Sequence, residues 1–515
     1  MLERRGLESF KEAYLRLDRR VLGIFRILLG LVLLYDVLRR FPDARLLWSN
    51  EGVLTTDSLR RAPQEPVQFS FLMGLDSGWA VELAFAGLAC LFVLYTVGLF
   101  SPVVRLLTLL GYASLNARNF FFEDGGTSVT ILLLTWTLWL PLADRFSLDA
   151  IRRDARLPSV LLRVRARLAS RAPLFTVAAL IFLLQAAAIY WLNAAHKTGH
   201  TWKGGDAVHL VLWQHRVNTP IALWFAQYEP TWFSPVSTWL TVRVEYLLPI
   251  LLLWPSHPAI GRSVAFVIAV LLHGGIALIM TLGPFSYAMI CLVWLTLPGS
   301  VLDAVAARLP RRLGWRLARQ RARLVRAWRG RFAAAAKGDV ARVPAWWPRA
   351  RDSALGVMLV IEVVNLFSYN RSIPQVLKTS AGRFIWEHSY KPYLRGMQGW
   401  SMFAPNAPEE DGTLVIDAVT KSGRHVDPFT GAAPDFEQVR RGGVPHSIAV
   451  SDYLLSMRDA KNKRYRHDLR RYLRRYSPSD PIVSAEVWWV SHKSPKRGVY
   501  TPGPLRKEQL WKIKP

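Results

Sequence analysis

One long apolar run ends in Tyr190-Trp-Leu-Asn-Ala-Ala-His-Lys197 and continues Thr-Gly-His200-Thr-Trp202-Lys-Gly-Gly205. An ammonium at the end of an apolar helix, beside Trp and Gly, loses part of its preference for charge when water is removed, so its pKa falls and it can act as a base. The same lysine could instead lay its stem along apolar surface and hold its head in water. His196 and His200 are spaced i, i+4, with His209 and His215 further on. Two histidines on one helical face can ligate zinc, but no H-E-x-x-H pattern accompanies them, and no metal is expected. His273 falls near the middle of another apolar run, in Leu-Leu-His-Gly-Gly. There it either hydrogen-bonds a neighbouring helix or faces a polar cavity. Arg26, Asp36, Glu82, Arg105, Arg118, Arg243, Glu245 and Glu362 also lie in or beside apolar runs. Charges are costly in hydrocarbon, so these groups are expected to pair between helices.

The elements that must carry these residues follow from composition. The 515 residues are 51% hydrophobic and 12% aromatic, yet hold 66 Lys and Arg against 37 Asp and Glu, a net charge of +29. That apolar fraction excludes a disordered basic tail, and two cysteines exclude a disulfide scaffold or a cysteine-rich zinc module. Cys90 and Cys291 both fall in apolar runs and read as small core hydrophobes. A bilayer needs about 20 apolar residues per helical span. Nine runs qualify, at 21–38, 79–99, 102–122, 127–143, 174–194, 237–255, 262–282, 283–302 and 353–370. The first holds Arg26 and Asp36 and lacks a clear cleavage site, so it reads as an uncleaved span. The expected fold class is mainly α: a polytopic membrane helix bundle of about nine spans over residues 1–370. A water-facing α+β domain is expected over 371–515. That domain shows a strand-turn-strand pattern around Thr413 to Val426, a basic helical stretch near Lys461 to Tyr476 and a strand at Ile482 to Val490.

Charge in the connections sets an expected topology. Residues 144–172 carry eight basic and three acidic groups, and 303–351 carry fourteen and two. The connection 39–78 is balanced at five and five, and 195–236 holds three Lys or Arg against two acids. By the positive-inside rule the first two are cytosolic and the last two are outside, with a cytosolic N-terminus and an exterior C-terminal domain. The Arg- and Ala-rich composition suggests a bacterium, and hence the plasma membrane. The Arg-rich stretch 311–331 reads as an amphipathic helix on the anionic leaflet, so the bilayer is the expected partner and nucleic acid is not.

Taken in order along the chain, several segments resemble the HTTM (horizontally transferred transmembrane) family, whose best-understood members are the vitamin K-dependent gamma-glutamyl carboxylases. These are Phe25-Arg26 through Asp36, Pro141 to Asp149, the Lys197, Trp202 and Gly205 spacing, His273 followed by Gly283-Pro-Phe-Ser-Tyr287, and Trp400-Ser-Met-Phe-Ala-Pro-Asn406. The resemblance implies a lyase-type reaction. A lysine amine deprotonates a vitamin K-like hydroquinone, oxygen converts it to a strong base, and that base removes a gamma proton from a glutamyl side chain, which then takes up carbon dioxide. Carried over, Lys197 is the catalytic base, and His273 has a catalytic and quinol-binding role. Trp202 and Tyr287 line the quinol pocket, and Arg395, Trp400 and Ser401 face the peptide. Where the carboxylases carry Asn-Asn-His, this chain has Asp124-Gly125-Gly126.

Two functions therefore stand side by side: a carboxylase-like enzyme acting on an exported peptide or protein, and a non-enzymatic maturation or partner-binding factor for secreted proteins. The exterior region favours the second through its charge, 25 Lys and Arg against 14 acids, nine of the basic residues lying between Arg458 and Arg475. A transporter comes third, with no repeat symmetry to support it.

Overall fold

The computed structural model describes residues 2–61, 69–155, 173–308, 310–332, 344–370, 373–378, 380, 384, 387–388, 398–441 and 446–514. It is mainly helical, with a small sheet near the C-terminus. The helices that matter here are α1 (Arg19–Arg40), α2 (Gly78–Val97), α3 (Ser101–Arg118), α4 (Gly125–Thr137), α5 (Leu148–Ala155), α6 (Val177–His196), α7 (Ala207–Leu212), α8 (Phe233–Leu253), α9 (Pro258–Ile279), α10 (Phe285–Trp294), α11 (Gly299–Arg308), α12 (Arg311–Phe332) and α13 (Trp347–Tyr369). Beyond them lie α14 (Ile448–Arg458) and α15 (Arg466–Arg474).

Among the described residues, five helical stretches are long and apolar enough to cross a bilayer: Arg19–Trp48, Gly78–Val97, Val177–His196, Phe233–Leu253 and Pro258–Ile279. A sixth span arises if α10 and α11, bent by 95° at their junction, count as one. The expected number was nine; the three remaining runs are not among these candidates in the described residues. In α3, Arg105, Asn116 and Arg118 dilute the apolar stretch. The fourth run is helical only over the 13 residues of α4, roughly 20 Å at 1.5 Å per residue, against a hydrocarbon core of about 30 Å. The last run lies in α13, and Glu362 is the run's one charged side chain.

Buried charges tie the bundle together. Arg26 in α1 donates to the carbonyls of Leu142 and Phe146, at 3.0 and 2.5 Å, fastening α1 to the chain leaving α4. Gly98 ends α2 with φ 69, and a Cβ there would lie 2.6 Å from the Arg26 guanidinium, so a side chain is excluded by both conformation and space. Asp36 is fully buried and is held by Arg39, Arg40 and the Tyr112 hydroxyl at 2.7–2.9 Å.

The connections separate into two groups. Arg321 of α12 pairs with Asp154 of α5, so the two strongly basic connections meet each other. The two balanced connections meet the C-terminal region instead. Tyr453 donates to Val53 O, Arg471 to Asn50 O, and Tyr500 to Glu229 O.

In that region β1 (Glu410–Thr420), β2 (His425–Val426), β3 (Ile482–Lys493) and β4 (Arg506–Ile513) form one antiparallel sheet in the order β2-β1-β3-β4. The expected hairpin, basic helix and third strand are present; α14 and β4 were not anticipated. Much of the basic stretch is used in packing, with Arg458 over the Trp489 ring at 3.9 Å and Arg466 over Trp511 at 3.7 Å. The expected separate domain shares an apolar core with the helices, since Phe121 meets Tyr453 and Tyr465 edge-on at 6.0 and 5.4 Å.

The buried Asp468 carboxylate accepts from Thr55 N and Oγ1 at 2.8 and 3.0 Å. Asp468→Ala strands these donors, so it should cost about 1–3 kcal/mol and speed proteolysis of the connection near Thr55. Unchanged cleavage there would refute this coupling.

Candidate functional site

Tyr190 and Asn193 of α6 and Lys197, the residue that caps its C-terminus, lie together at the end nearest the C-terminal region. Across from them, α8 contributes Glu245 and α9 contributes His273, both buried. Lys197 Nζ lies 2.5 and 2.6 Å from the two oxygens of Glu245, and the side chains are 4% and 6% exposed. Asn193 Nδ2 donates to the same carboxylate at 2.7 Å. The ammonium also sits 4.5 Å from the centre of the Trp202 ring. Burial pushes the Lys197 amine below its ordinary range, while the Glu245 charge opposes that shift.

His273 sits beside this group. Its Nε2 shares a 2.9 Å hydrogen bond with the Tyr190 hydroxyl, and its ring meets Phe285 edge-on at 5.5 Å. His273 Nδ1 is buried and has no hydrogen-bond partner among the described residues.

The segment Trp400 to Ala407 covers the cluster. Met402 N donates to Asn193 Oδ1 at 3.0 Å, and Trp202 Nε1 donates to Phe403 O at 2.8 Å. Ala407 N bonds Thr201 Oγ1 at 2.9 Å, and Gly199 N bonds Pro405 O at 2.9 Å. A Cβ on Gly199 would stand 1.9 Å from Asn406 Oδ1, so the close approach of the two segments requires glycine there. Two motifs about 200 residues apart in the chain thus form one compact unit.

Not every expected site residue joins it. Tyr287 is 42% exposed and stacks edge-on with Tyr35 at 5.5 Å, away from His273, because two residues along α10 turn its side chain from the face that presents Phe285. Trp400 was expected to face a peptide. It is buried instead, its Nε1 donating to Gln398 Oε1 at 2.7 Å within a network joining Gln185 of α6 and Glu362 of α13. Ser401 is exposed. Arg395 lies outside the described residues. The histidines near Lys197 do not converge on one another. His196 Nδ1 meets Leu192 O at 2.6 Å, His200 meets Glu409 at 2.9 Å, and His209 is bracketed by Glu229 at 2.7 Å and Pro495 O at 2.9 Å. Burial lowers the His209 pKa, but its hydrogen bonds to Glu229 and the Pro495 carbonyl outweigh that and leave it raised.

No protein-family model matches this chain, and no curated protein or solved structure does. The reading of the site therefore rests on its geometry. Glu245 is the residue that sequence reasoning left unassigned: it stood out as an intramembrane charge, but nothing local identified Lys197 as its partner. The Gly125–Gly126 pair also belongs here, since Gly125 packs on Phe285 and Met402, and Gly126 packs on the Pro284–Phe285 backbone.

Proposed function

We propose that the chain is a multi-pass protein of the plasma membrane, with its N-terminus in the cytosol and its C-terminal region outside. In this reading Lys197 accepts a proton from a reduced, vitamin K-like quinone in a carboxylase-like modification of glutamyl side chains on an exported peptide or protein. The observation that carries it is the convergence of Lys197, Trp202, His273 and the Trp400–Ala407 cover on one buried cluster. The unpartnered His273 Nδ1 fits such a cofactor, because it leaves a buried polar atom for a quinol hydroxyl, beside the apolar Phe285 ring. A reduced quinone bound there would supply, with oxygen, the strong base that the carboxylation needs. At rest Lys197 and Glu245 form a buried ion pair, and moving the lysine proton onto Glu245 leaves a neutral amine beside a neutral acid. The neutral amine would then be able to accept a proton from a hydroxyl bound nearby. Tyr190 orients the His273 ring.

Quinol epoxidation by membranes containing the protein is the test. Lys197→Ala should reduce the rate by about 10²–10⁴-fold, with Glu245→Gln shifting the pH profile. A rate indifferent to Lys197→Ala would overturn the enzymatic reading.

A second reading, a membrane-bound maturation or partner-binding factor without turnover, draws support from Gly126. It stands where the carboxylases carry a histidine that assists the lysine, and its Cβ would lie 2.3 Å from Phe285 N. Absent epoxidation in the parent, together with cross-linking of an exported protein to the exterior surface, would establish this reading instead.

A further inference from the structure

Asp411 and His492 are direct cross-strand partners in the β1–β3 ladder, so their side chains share one face of the sheet. His215, in the turn after α7, meets them from the helical part, its ring 5.4 Å from that of His492. All three are buried, and their ligand atoms lie within 4.8 Å of one another. The hydrogen bonds around them determine which nitrogens remain available. His215 Nδ1 lies 2.9 Å from Val439 O and His492 Nδ1 lies 3.2 Å from Lys493 O. A carbonyl only accepts, so each Nδ1 carries the proton and each Nε2 keeps its lone pair. His492 Nε2 is buried and has no hydrogen-bond partner among the described residues. Metal-bound histidines commonly show this pattern, with one ring nitrogen on a backbone carbonyl and the other directed at the ion.

We propose that His215, Asp411 and His492 bind one divalent transition-metal ion, zinc in the first instance, at the seam between the helices and the C-terminal sheet. Two imidazoles and one carboxylate form a donor set that suits zinc, iron(II) or manganese(II) and leaves at least one coordination position open. Bonds of 2.0–2.1 Å to a tetrahedral ion place ligand atoms about 3.4 Å apart, so binding would hold these atoms within the 4.8 Å that now separates them at most. His215 also lines a cavity of about 250 Å³ with Trp213, Gln227, Tyr228, Arg440 and Tyr500. Sequence spacing could not reveal the site, since its ligands are separated by 196 and 81 residues.

The test uses the untagged full chain in detergent, stripped with a chelator and titrated with zinc chloride, and separately with cobalt(II), manganese(II) and iron(II). One equivalent per chain is expected from at least one metal, and cobalt(II) should give visible d–d bands. Asp411→Asn, which preserves side-chain size, and His492→Gln should each lower affinity by about 100-fold or more. His200→Ala, at an exposed histidine, should leave it unchanged. A folded parent that binds none of the four metals, or binding that survives Asp411→Asn in folded protein, would overturn the site.

Discussion

Glu245→Gln is expected to destabilise the folded chain by about 3–5 kcal/mol near neutral pH, whereas the double replacement Lys197→Met with Glu245→Leu is expected to cost little or to stabilise. The asymmetry follows from desolvation. Lys197 and Glu245 are 4% and 6% exposed and in contact at 2.5 Å, so losing one partner strands a buried charge, while losing both removes the charge altogether. The single variant should also depend on pH in a definite direction. Burial already lowers the Lys197 pKa, and removing the opposing carboxylate lowers it further. Between that lowered value and about 10.4, the unfolded-chain value, the unfolded chain binds more protons than the folded one, so the variant's stability rises with pH. Thermal unfolding in detergent from pH 7 to pH 10 measures it. A deficit below about 1 kcal/mol, or one that grows as pH rises, would mean that Glu245 does not hold a charged lysine.

Gly126→Ala is expected to cost about 3 kcal/mol or more, and Gly125→Ala about 1 kcal/mol or less. The two glycines are adjacent in the chain but meet different neighbours. A Cβ at Gly126 would lie 2.3 and 2.6 Å from Phe285 N and Cα and 2.9 Å from Pro284 C, all backbone, so α4 and the start of α10 would have to separate. A Cβ at Gly125 would meet the Phe285 ring at 3.2 Å and Met402 Sδ at 3.3 Å, side chains that can yield. Unfolding midpoints of the two variants decide this, and equal losses would refute the distinction. The consequence for function is direct. Gly126→His should fail to install a second base beside Lys197, because no side chain fits at that position.

The site was partly legible in the chain. Lys197 and Trp202 stood out by their setting and Trp400 to Asn406 by the family resemblance, and the segments do meet. Tyr287 and Trp400 were legible as residues but not in their orientation. Tyr287 turns outward, and Trp400 is a core residue held by Gln398. Side-chain direction depends on how each helix is rotated against its neighbours, and local sequence does not encode that rotation. Of the nine expected spans, five or six stand out among the described residues. Apolar runs of similar composition include α4, which packs between other helices but is too short to cross a bilayer on its own, as well as genuine candidate spans.

Local patterns were sufficient for the long apolar helices and for the hairpin and third strand of the C-terminal sheet, because each depends on neighbours within a few residues. Three features required the folded chain: the Lys197–Glu245 pair, the exclusion of any side chain at Gly126, and the meeting of His215 with Asp411 and His492. Each joins residues from segments far apart in sequence, and is set by contact distances of a few ångströms that arise when helices and sheet pack. A buried charge in an apolar run announces that a partner must exist, since desolvation makes an unpaired charge too costly. Its identity depends on which helix is packed alongside.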